Sequence, residues 1–166
     1  KNVAMEKTTR VKARVKAHAL KELIETRDKV VVMGHTLQDV DSFGALIAIY
    51  CIAQKLNKKA HIVINEVSNS VRPFKDRFTN NPEYEDDMFI QNPHAKEIVD
   101  NNTVLVVVDV NKPKLTECED LLHMTNTIVV LAHHRQSGEA ITNASLSYVE
   151  PYASSTCEMV AEILQY

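Results

Sequence analysis

Short runs of β-branched residues constrain the fold of this chain more than any other sequence feature. The strongest run covers residues 104–108, and similar runs cover 30–33, 61–64 and 128–131. Continuous apolar runs of this length are typical of strands buried on both faces of a parallel sheet. Helical patterns alternate with them, at residues 1–27, 40–56, 94–99, 117–124 and 155–165. The alternation predicts an α/β fold, with a mostly parallel sheet and helices on both faces.

The composition excludes several classes of function. The chain has 166 residues, 45% of them hydrophobic and 25% charged, as in one ordinary globular domain. The net charge of -3 provides no broad basic surface for duplex nucleic acid. No apolar stretch reaches the roughly 18 residues of a membrane helix, so we expect no membrane contact by this chain. Three widely spaced cysteines without a CxxC pattern predict reduced thiols rather than a zinc finger.

Three of the apolar runs are followed by side chains that can bind metal ions. In a parallel sheet the carboxyl ends of the strands meet at one edge, where ligands bind. We therefore expect these side chains to lie close together. They are His35, Asp39 and Asp41 after the first run, Asp109 after the third, and His133 and His134 after the fourth.

The residue types favour a site with two metal ions. Asp39 and Asp41 are one position apart, which suits one carboxylate for each of two neighbouring ions. Asp109 follows a buried strand, so its charge needs a partner, and a bridge between two cations would supply one. Imidazole and carboxylate together suit Mn²⁺, Fe²⁺ or Zn²⁺.

Each of these residues also has a structural explanation. Asp39 and Asp41 are suited to cap the helix that follows them. Asp109 is suited to begin a turn through Asn111 and Pro113. His133 and His134 could be ordinary loop histidines. Chance could readily place such residues after one strand. It is much less expected to place them after three strands of the same sheet. The histidines for which we assign no role are His61, His94 and His123.

The first strand end has the pattern HxxxDxD followed by small residues. His35, Asp39 and Asp41 form the pattern, and Ser42 and Gly44 follow in the predicted helix. This arrangement resembles the first motif of the DHH phosphoesterase family.

Two further motifs follow in the order of that family. Asp109 after its apolar strand resembles the second motif, and Ala132 with residues 133–135 resembles the third, Asp-His-His-Arg. The flanks at residues 6–15 and 150–156 resemble GdpP-type cyclic di-AMP phosphodiesterases. The resemblance covers nearly the whole chain and implies the fold of the DHH phosphoesterase N-terminal domain.

The resemblance implies a role for each matched metal ligand. His35 and Asp39 would bind one Mn²⁺, Asp41 and His133 would bind a second, and Asp109 would bridge the two ions. Two such ions, about 3.5–4 Å apart, activate a water for attack on phosphorus.

The resemblance also implies the groups that face the substrate. His134 would face the substrate phosphate as a catalytic residue, with Arg135 beside it. Both cationic donors would counter the charge that builds on the phosphate oxygens. A protonated His134 and a neutral, metal-bound His133 would then differ in protonation.

One position departs from the family pattern. Ala132 stands where the third motif has an aspartate, which could orient His133. Loss of such a supporting partner typically costs about 10–100-fold in metal affinity or activity. A natural and an engineered origin of Ala132 are both compatible with the sequence. We expect this chain to bind metal incompletely and to hydrolyse little.

The resemblance predicts a domain organisation. Residues 1–27 would be a helix that connects to upstream domains, and residues 28–166 would be the DHH domain. We expect the chain to stop before one further aspartate ligand and before a C-terminal domain that grips the substrate base. The parent protein would be membrane-anchored, with this domain in the cytoplasm.

The function expected from the resemblance is that of a metal-dependent phosphodiesterase acting on a cyclic dinucleotide, with cyclic di-AMP preferred. One alternative keeps the family but changes the substrate, to a short oligonucleotide or a nucleotide. A second alternative is a non-catalytic sensor that binds nucleotide or metal, which Ala132 favours. A third is a purely structural α/β domain.

Overall fold

The structure, a computed structural model, describes residues 3–132 and 141–149 together with residues 158, 160 and 161; for residues 3–10 and 12 it describes the backbone only. The helices are α1 (Val3–Glu25), α2 (Val40–Lys55), α3 (Arg72–Thr79) and α4 (Asn92–Ile98). The strands are β1 (Lys29–Met33), β2 (Lys59–Val63), β3 (Phe89–Ile90), β4 (Thr103–Val108), β5 (Thr127–Ala132) and β6 (Leu146–Val149). Two short 3-10 helices cover Pro113–Leu115 and Glu119–His123.

All six strands belong to one parallel sheet in the order β3-β2-β1-β4-β5-β6. Because every strand runs the same way, the sheet has an amino edge, where strands begin, and a carboxyl edge, where they end. The chain builds outward from β1 through β2 and β3, then returns to the other side of β1 with β4. The point where the order reverses therefore lies between β1 and β4, and in such sheets that crevice is the usual ligand site.

Alternating strand residues pack against helices on the two faces of the sheet. On one face Val30, Val32 and Val106 join a core cluster with residues of α1 and α2. On the other face Val31 and Val107 join a second cluster with residues of α4 and the 3-10 helix at Glu119–His123. Because both faces are covered, β4 and β5 are buried along their whole length. The expected α/β architecture, with helices on both faces, is confirmed, and the sheet is wholly parallel.

The polar segment at residues 66–103 contains more regular structure than its composition predicts. It forms α3 and the two-residue strand β3, where we predicted irregular structure with one short helix. Helix α3 has no fully buried residue, so no apolar run marks it. Pro73 and Pro93 lie in the first turns of α3 and α4, where a proline is tolerated because the first amide groups of a helix have no partner.

Helix α1 buries only part of the apolar pattern in its sequence. Its sequence has Val11, Val15, Leu20 and Ile24 at helical spacing, which predicts one apolar face, but Val11 and Val15 are exposed. Ala13 and Ala17 are buried instead, together with Leu20 and, one turn later, Ile24. Tertiary packing, and not side-chain size alone, therefore decides which face of α1 is buried.

The structure bears on the expected absence of a membrane helix and on the state of two of the cysteines. Among them, no helix is both long and apolar enough to cross a membrane. Cys51 is exposed and Cys118 is buried, and both are free thiols. Burial raises the pKa of each of these thiols, which favours the protonated form. Cys157 lies outside the described residues.

Candidate functional site

The sheet order places two of the predicted ligands at the point where the strand order reverses. Strand β1 pairs with β4 in parallel register, with Met33 beside Val107. Continuing that register by two residues brings His35 to the level of Asp109. A histidine and an aspartate therefore follow the two strand ends that flank this crevice.

Gly34 brings the ends of these two strands unusually close. A Cβ atom built on Gly34 would lie 3.3 Å from the backbone oxygen of Val108 and 3.5 Å from its side chain. A backbone oxygen cannot move aside as a flexible side-chain end can. A Cβ atom at this position would therefore require the Val108 backbone to shift by a few tenths of an ångström, immediately before His35 and Asp109.

His35 is held by the loop that follows β4. It forms an isolated antiparallel bridge with Thr116, and the Thr36 N–H donates to the Leu115 oxygen at 3.0 Å. The imidazole Nδ1 accepts a hydrogen bond from the Leu37 N–H at 2.9 Å. A neutral ring that accepts at Nδ1 carries its proton on Nε2. A metal ion at Nε2 would therefore require that proton to leave and Nδ1 to change its role.

Asp39 caps helix α2, as its position before the helix suggested. Its Oδ1 accepts from the Ser42 N–H at 2.7 Å, and the Asp39 N–H donates to the Ser42 hydroxyl at 3.1 Å. This reciprocal pair is a capping box. The structural explanation for Asp39 is thus correct. A carboxylate has a second oxygen, so a cap through Oδ1 is compatible with a metal bond through Oδ2. Asp41 lies in the first turn of α2.

Asp109 occupies a backbone conformation that few residues adopt. Its φ angle is 61°, in the left-handed region, and its N–H donates to the Leu131 oxygen at 2.8 Å. Left-handed backbone is disfavoured for residues with a Cβ, although aspartate and asparagine tolerate it better than most. Such local strain is most often found at functional sites. The conformation ends β4 abruptly at the carboxyl edge.

Ala132 ends the neighbouring strand. The pairing of Val108 with Leu131 places Ala132 at the level of Asp109, and on its other side Ala132 pairs with Val149. Ala132 is only 3% exposed, so a carboxylate there would be buried beside Asp109. The predicted residues His133, His134 and Arg135 lie outside the described residues.

The described residues supply suitable ligand types but do not converge on one ion. Imidazole and carboxylate ligands suit Mn²⁺, and His35, Asp39, Asp41 and Asp109 all lie at the carboxyl edge. Within residues 3–132 and 141–149, however, no three histidine, cysteine, aspartate or glutamate side chains form a group that could hold an ion. The donor chemistry therefore fits a metal, while the orientations of His35 and Asp39 serve local hydrogen bonds.

A buried polar network beside these residues was missed by our sequence analysis. Glu117 is 7% exposed, and its two carboxylate oxygens accept from Gln38 Nε2 at 2.7 Å and from Asn65 Nδ2 at 3.0 Å. Asn92 joins the network by donating from its Nδ2 to the Glu117 backbone oxygen at 2.9 Å. Burial raises the pKa of the Glu117 carboxyl, against the opposing effect of the hydrogen bonds from Asn65 and Gln38. Asn65 and Asn92 closely follow β2 and β3, so the strand-end signal that marked the aspartates also marks them.

A cavity opens at the carboxyl ends of β2 and β3. Its volume is about 550 Å³, within the range of small-molecule pockets. Lys75, His94 and Asn65 contribute polar groups to its wall, and Lys75 Nζ lies 4.7 Å from the centre of the Phe89 ring. A cation, an imidazole and an amide beside the crevice would suit an anionic or polar group of a ligand. We assigned no role to His94 from the sequence.

Comparison with known proteins identifies the family of this chain. The sequence model described as "DHH family, N-terminal domain" matches residues 29–166. The chain therefore belongs to the DHH family, and the resemblance seen in its motifs is confirmed.

Individual relatives show which members of the DHH family this chain is similar to. The chain is 45% identical over 166 residues to the cyclic-di-AMP phosphodiesterase GdpP of Bacillus subtilis, which covers 98% of this chain and 25% of that protein. It is 38% identical over 165 residues to the cyclic-di-AMP phosphodiesterase PdeA of Listeria monocytogenes, again covering 98% of this chain and 25% of that protein. The chain is thus homologous to the DHH domain of cyclic-di-AMP phosphodiesterases, and it spans about a quarter of their length.

A solved structure supports the fold. The chain resembles an exopolyphosphatase-related protein from Bacteroides fragilis with a TM-score of 0.71. The match covers 91% of this chain and 43% of the other, at 18% sequence identity. At this identity the likeness concerns the fold alone.

Proposed function

We propose that this chain is a metal-dependent phosphodiesterase domain that acts on a cyclic dinucleotide, with cyclic di-AMP preferred. The observation that carries the proposal is the placement of His35 and Asp109 on adjacent strand ends, where the strand order reverses. The relatives named as cyclic-di-AMP phosphodiesterases support the choice of substrate.

The proposed site would hold two Mn²⁺ ions. His35 and Asp39 would bind one, Asp41 and His133 the other, and Asp109 would bridge them. When bound, the ions would supply an activated water and would neutralise charge on the phosphate. The left-handed backbone of Asp109, directly after β4, supports a functional role for this residue, because such strained conformations cluster at functional sites.

His134 and Arg135 would bind the phosphate that is attacked. Hydrogen bonds to a phosphate oxygen from ionised donors are short and strong, and an arginine can make two of them at once. These residues would orient the phosphodiester and stabilise the charge that develops on its oxygens.

Ala132 would weaken the site. An aspartate at this buried position would lie at the level of Asp109 and could accept a hydrogen bond from His133. Without it, His133 loses a partner that fixes its ring. We therefore propose low activity for this chain. A non-catalytic sensor is the second candidate, because Ala132 is compatible with binding that is not followed by hydrolysis.

The domain organisation remains part of the proposal. Residues 1–27 would connect to upstream domains of a membrane-anchored parent, and residues 28–166 would form the catalytic domain in the cytoplasm. A further C-terminal domain would recognise the base. An oligonucleotide or nucleotide substrate is the alternative within the family, and the ratio of turnover on cyclic di-AMP to turnover on a linear dinucleotide would distinguish the two.

The first test is a calorimetric titration of this chain with Mn²⁺. We expect one or two equivalents to bind, and His35→Ala to weaken that binding. His123→Ala is the matched control, because His123 is an exposed histidine in a 3-10 helix that leads toward the start of β5. Equal affinity in His35→Ala and His123→Ala would contradict the proposed metal site.

The second test restores the aspartate. In the longer parent protein, which would carry the remaining ligand and the base-binding domain, we expect Ala132→Asp to raise both Mn²⁺ affinity and turnover of cyclic di-AMP, by about 10–100-fold if the aspartate supports His133. An increase in affinity without any turnover would favour the sensor over the phosphodiesterase. Ala132→Asn, which has nearly the same size but no charge, is the matched control.

A further inference from the structure

Glu117 is buried at a point where the loops that follow different strands meet. Its backbone N–H donates to the Gly34 oxygen at 3.0 Å, directly before His35. Its carboxylate is almost completely withdrawn from water. A buried carboxylate needs strong donors, and among the described residues these donors are the amides of Gln38 and Asn65.

Gln38 connects Glu117 to the segment that carries the first motif. It lies between His35 and Asp39, and it is 7% exposed although it belongs to a loop. Its Nε2 is 2.7 Å from Glu117 Oε2, 3.0 Å from the Thr36 oxygen and 2.9 Å from the Glu66 oxygen. The Gln38 side chain thus ties its own loop to two other loops.

The opposite end of the network is equally well defined. Gln38 Oε1 accepts from the Ser68 N–H at 3.0 Å, which fixes the orientation of the amide. The second oxygen of Glu117 accepts from Asn65, and Asn65 and Asn92 form two hydrogen bonds of 2.9 Å with each other. No part of the Gln38 and Glu117 pair can therefore rotate without breaking several contacts.

We propose that Glu117 is a positioning residue, which holds the segment from His35 to Asp39 in place through Gln38. The inference rests on the proposed function, because that segment would supply both ligands of one Mn²⁺. A buried carboxylate surrounded by neutral amides is a costly way to stabilise a loop, since apolar packing of the same volume is often at least as stable. Its benefit is a fixed geometry at two predicted ligands.

The discriminating variant is Glu117→Gln. It keeps the size of the side chain but replaces one acceptor oxygen with an NH₂ group. Whichever way the new amide is placed, that NH₂ group faces a donor, either Gln38 Nε2 or Asn65 Nδ2. The variant therefore loses one of the two hydrogen bonds that the Glu117 carboxylate accepts from Gln38 and Asn65, with almost no change in side-chain volume.

The first readout is hydrogen exchange of the metal-free protein, followed by mass spectrometry. We expect faster exchange in the segment from His35 to Ser42 of Glu117→Gln, with the central strands unchanged. Thr125→Val is the matched control, because it removes a buried hydrogen bond at the amino edge of the sheet. Unchanged exchange in residues 35–42 of Glu117→Gln would overturn the proposal.

The second readout is Mn²⁺ affinity at a temperature where every variant is folded. We expect Glu117→Gln to weaken binding by about 10–100-fold, the range typical for partners that orient ligands, and Thr125→Val to leave it unchanged. Gln38→Met should have a similar effect. Because the two residues act through one contact, the double variant should bind little more weakly than either single variant.

The outcomes separate this inference from the proposed function. Faster exchange with unchanged Mn²⁺ affinity would mean a merely structural role and would overturn it. Additive losses in the double variant would also overturn the route through Gln38. If the unaltered chain bound no Mn²⁺, the proposed metal function would fail, while the exchange experiment would still decide whether Glu117 holds the segment.

Discussion

The two edges of the sheet are held by different kinds of polar contact. At the amino edge, hydroxyl groups and exposed ion pairs hold the strand ends and their loops. At the carboxyl edge, buried carboxylate and amide groups do so. At the amino edge the Thr125 hydroxyl donates to the Thr103 oxygen at 2.7 Å, and Arg27 Nε donates to the Thr127 hydroxyl at 3.1 Å. An ion pair joins Lys29 and the exposed Asp100 at 3.4 Å. These contacts join neighbouring strand ends and the loops that lead into them.

The carboxyl edge contains features that are less favourable in free energy than those of the amino edge. Glu117 is almost fully buried, Asp109 has a left-handed backbone, and a Cβ atom on Gly34 would crowd the Val108 oxygen. The first two features carry a free-energy cost that a simpler loop would not have, and the third favours glycine at its position. The same strands therefore serve stability at the amino edge and geometry at the carboxyl edge, where the predicted ligands lie.

The largest expected effect comes from Asp109, one of two residues with a left-handed backbone among those that the structure describes. Loss of a residue that only supports a metal ligand typically lowers affinity about 10–100-fold. Asp109→Asn should lower Mn²⁺ affinity by more than this, because the charge that would bridge the two ions is lost. Asparagine tolerates the left-handed region, so the free energy of unfolding should change little. Calorimetry with Mn²⁺ and urea unfolding measure the two quantities.

The matched control uses the other residue with a positive φ angle. Asn57, at φ 60°, lies in the turn before β2, on the amino side of the sheet. Asn57→Asp should leave Mn²⁺ affinity unchanged. Equal losses of affinity in Asn57→Asp and Asp109→Asn would remove the distinction between the two edges.

Gly34→Val should give the next largest effect, on stability. The new side chain would push against the Val108 oxygen, and overpacking of this kind typically costs about 1–3 kcal/mol. Gly34→Ala should cost less, because only the Cβ atom is added. Urea unfolding of both variants measures the difference. If both were as stable as the unaltered chain, the close approach of β1 and β4 would not be required.

Thr125→Val should have a smaller effect, confined to the amino edge. Removing the hydroxyl loses its bond to the Thr103 oxygen and the bond that it accepts from the Thr127 N–H, which together we expect to cost about 1–2 kcal/mol of unfolding free energy. Mn²⁺ binding should persist with the same affinity. Thr125→Ser, which keeps the hydroxyl, is the control. A loss of metal binding in Thr125→Val would show that the edges are coupled.

The smallest effect should be a pH dependence from His61. Burial lowers the pKa of this histidine below 6.5, despite a hydrogen bond to the Asp87 oxygen at 2.7 Å that raises it. As the pH falls below about 6.5, the unfolded chain therefore takes up a proton before the folded chain does, and stability decreases. The full contribution is present above that pH. His61→Phe should flatten the slope measured by urea unfolding between pH 5 and pH 7, and an unchanged slope would assign it to other groups.

Much of the fold could be predicted because long apolar runs leave few choices. The β-branched runs at 30–33, 104–108 and 128–131 all lie within buried strands, and the pattern from 40 to 56 matches α2 closely. Helix α3 and strand β6 escaped prediction, since α3 is held by scattered contacts such as Phe78 against Tyr84, and β6 buries only Tyr148. Such elements depend on a surface that the rest of the fold provides.

The sequence by itself determined the types of residue at the carboxyl edge and the family to which the chain belongs, because motifs such as HxxxDxD are local patterns. Only the tertiary structure decided that Glu117 meets Gln38, 79 positions away, and that Gly34 touches Val108. The physical reason is that such contacts depend on strand order and register. These are set by packing across the whole sheet and not by the residues near any one position in the chain.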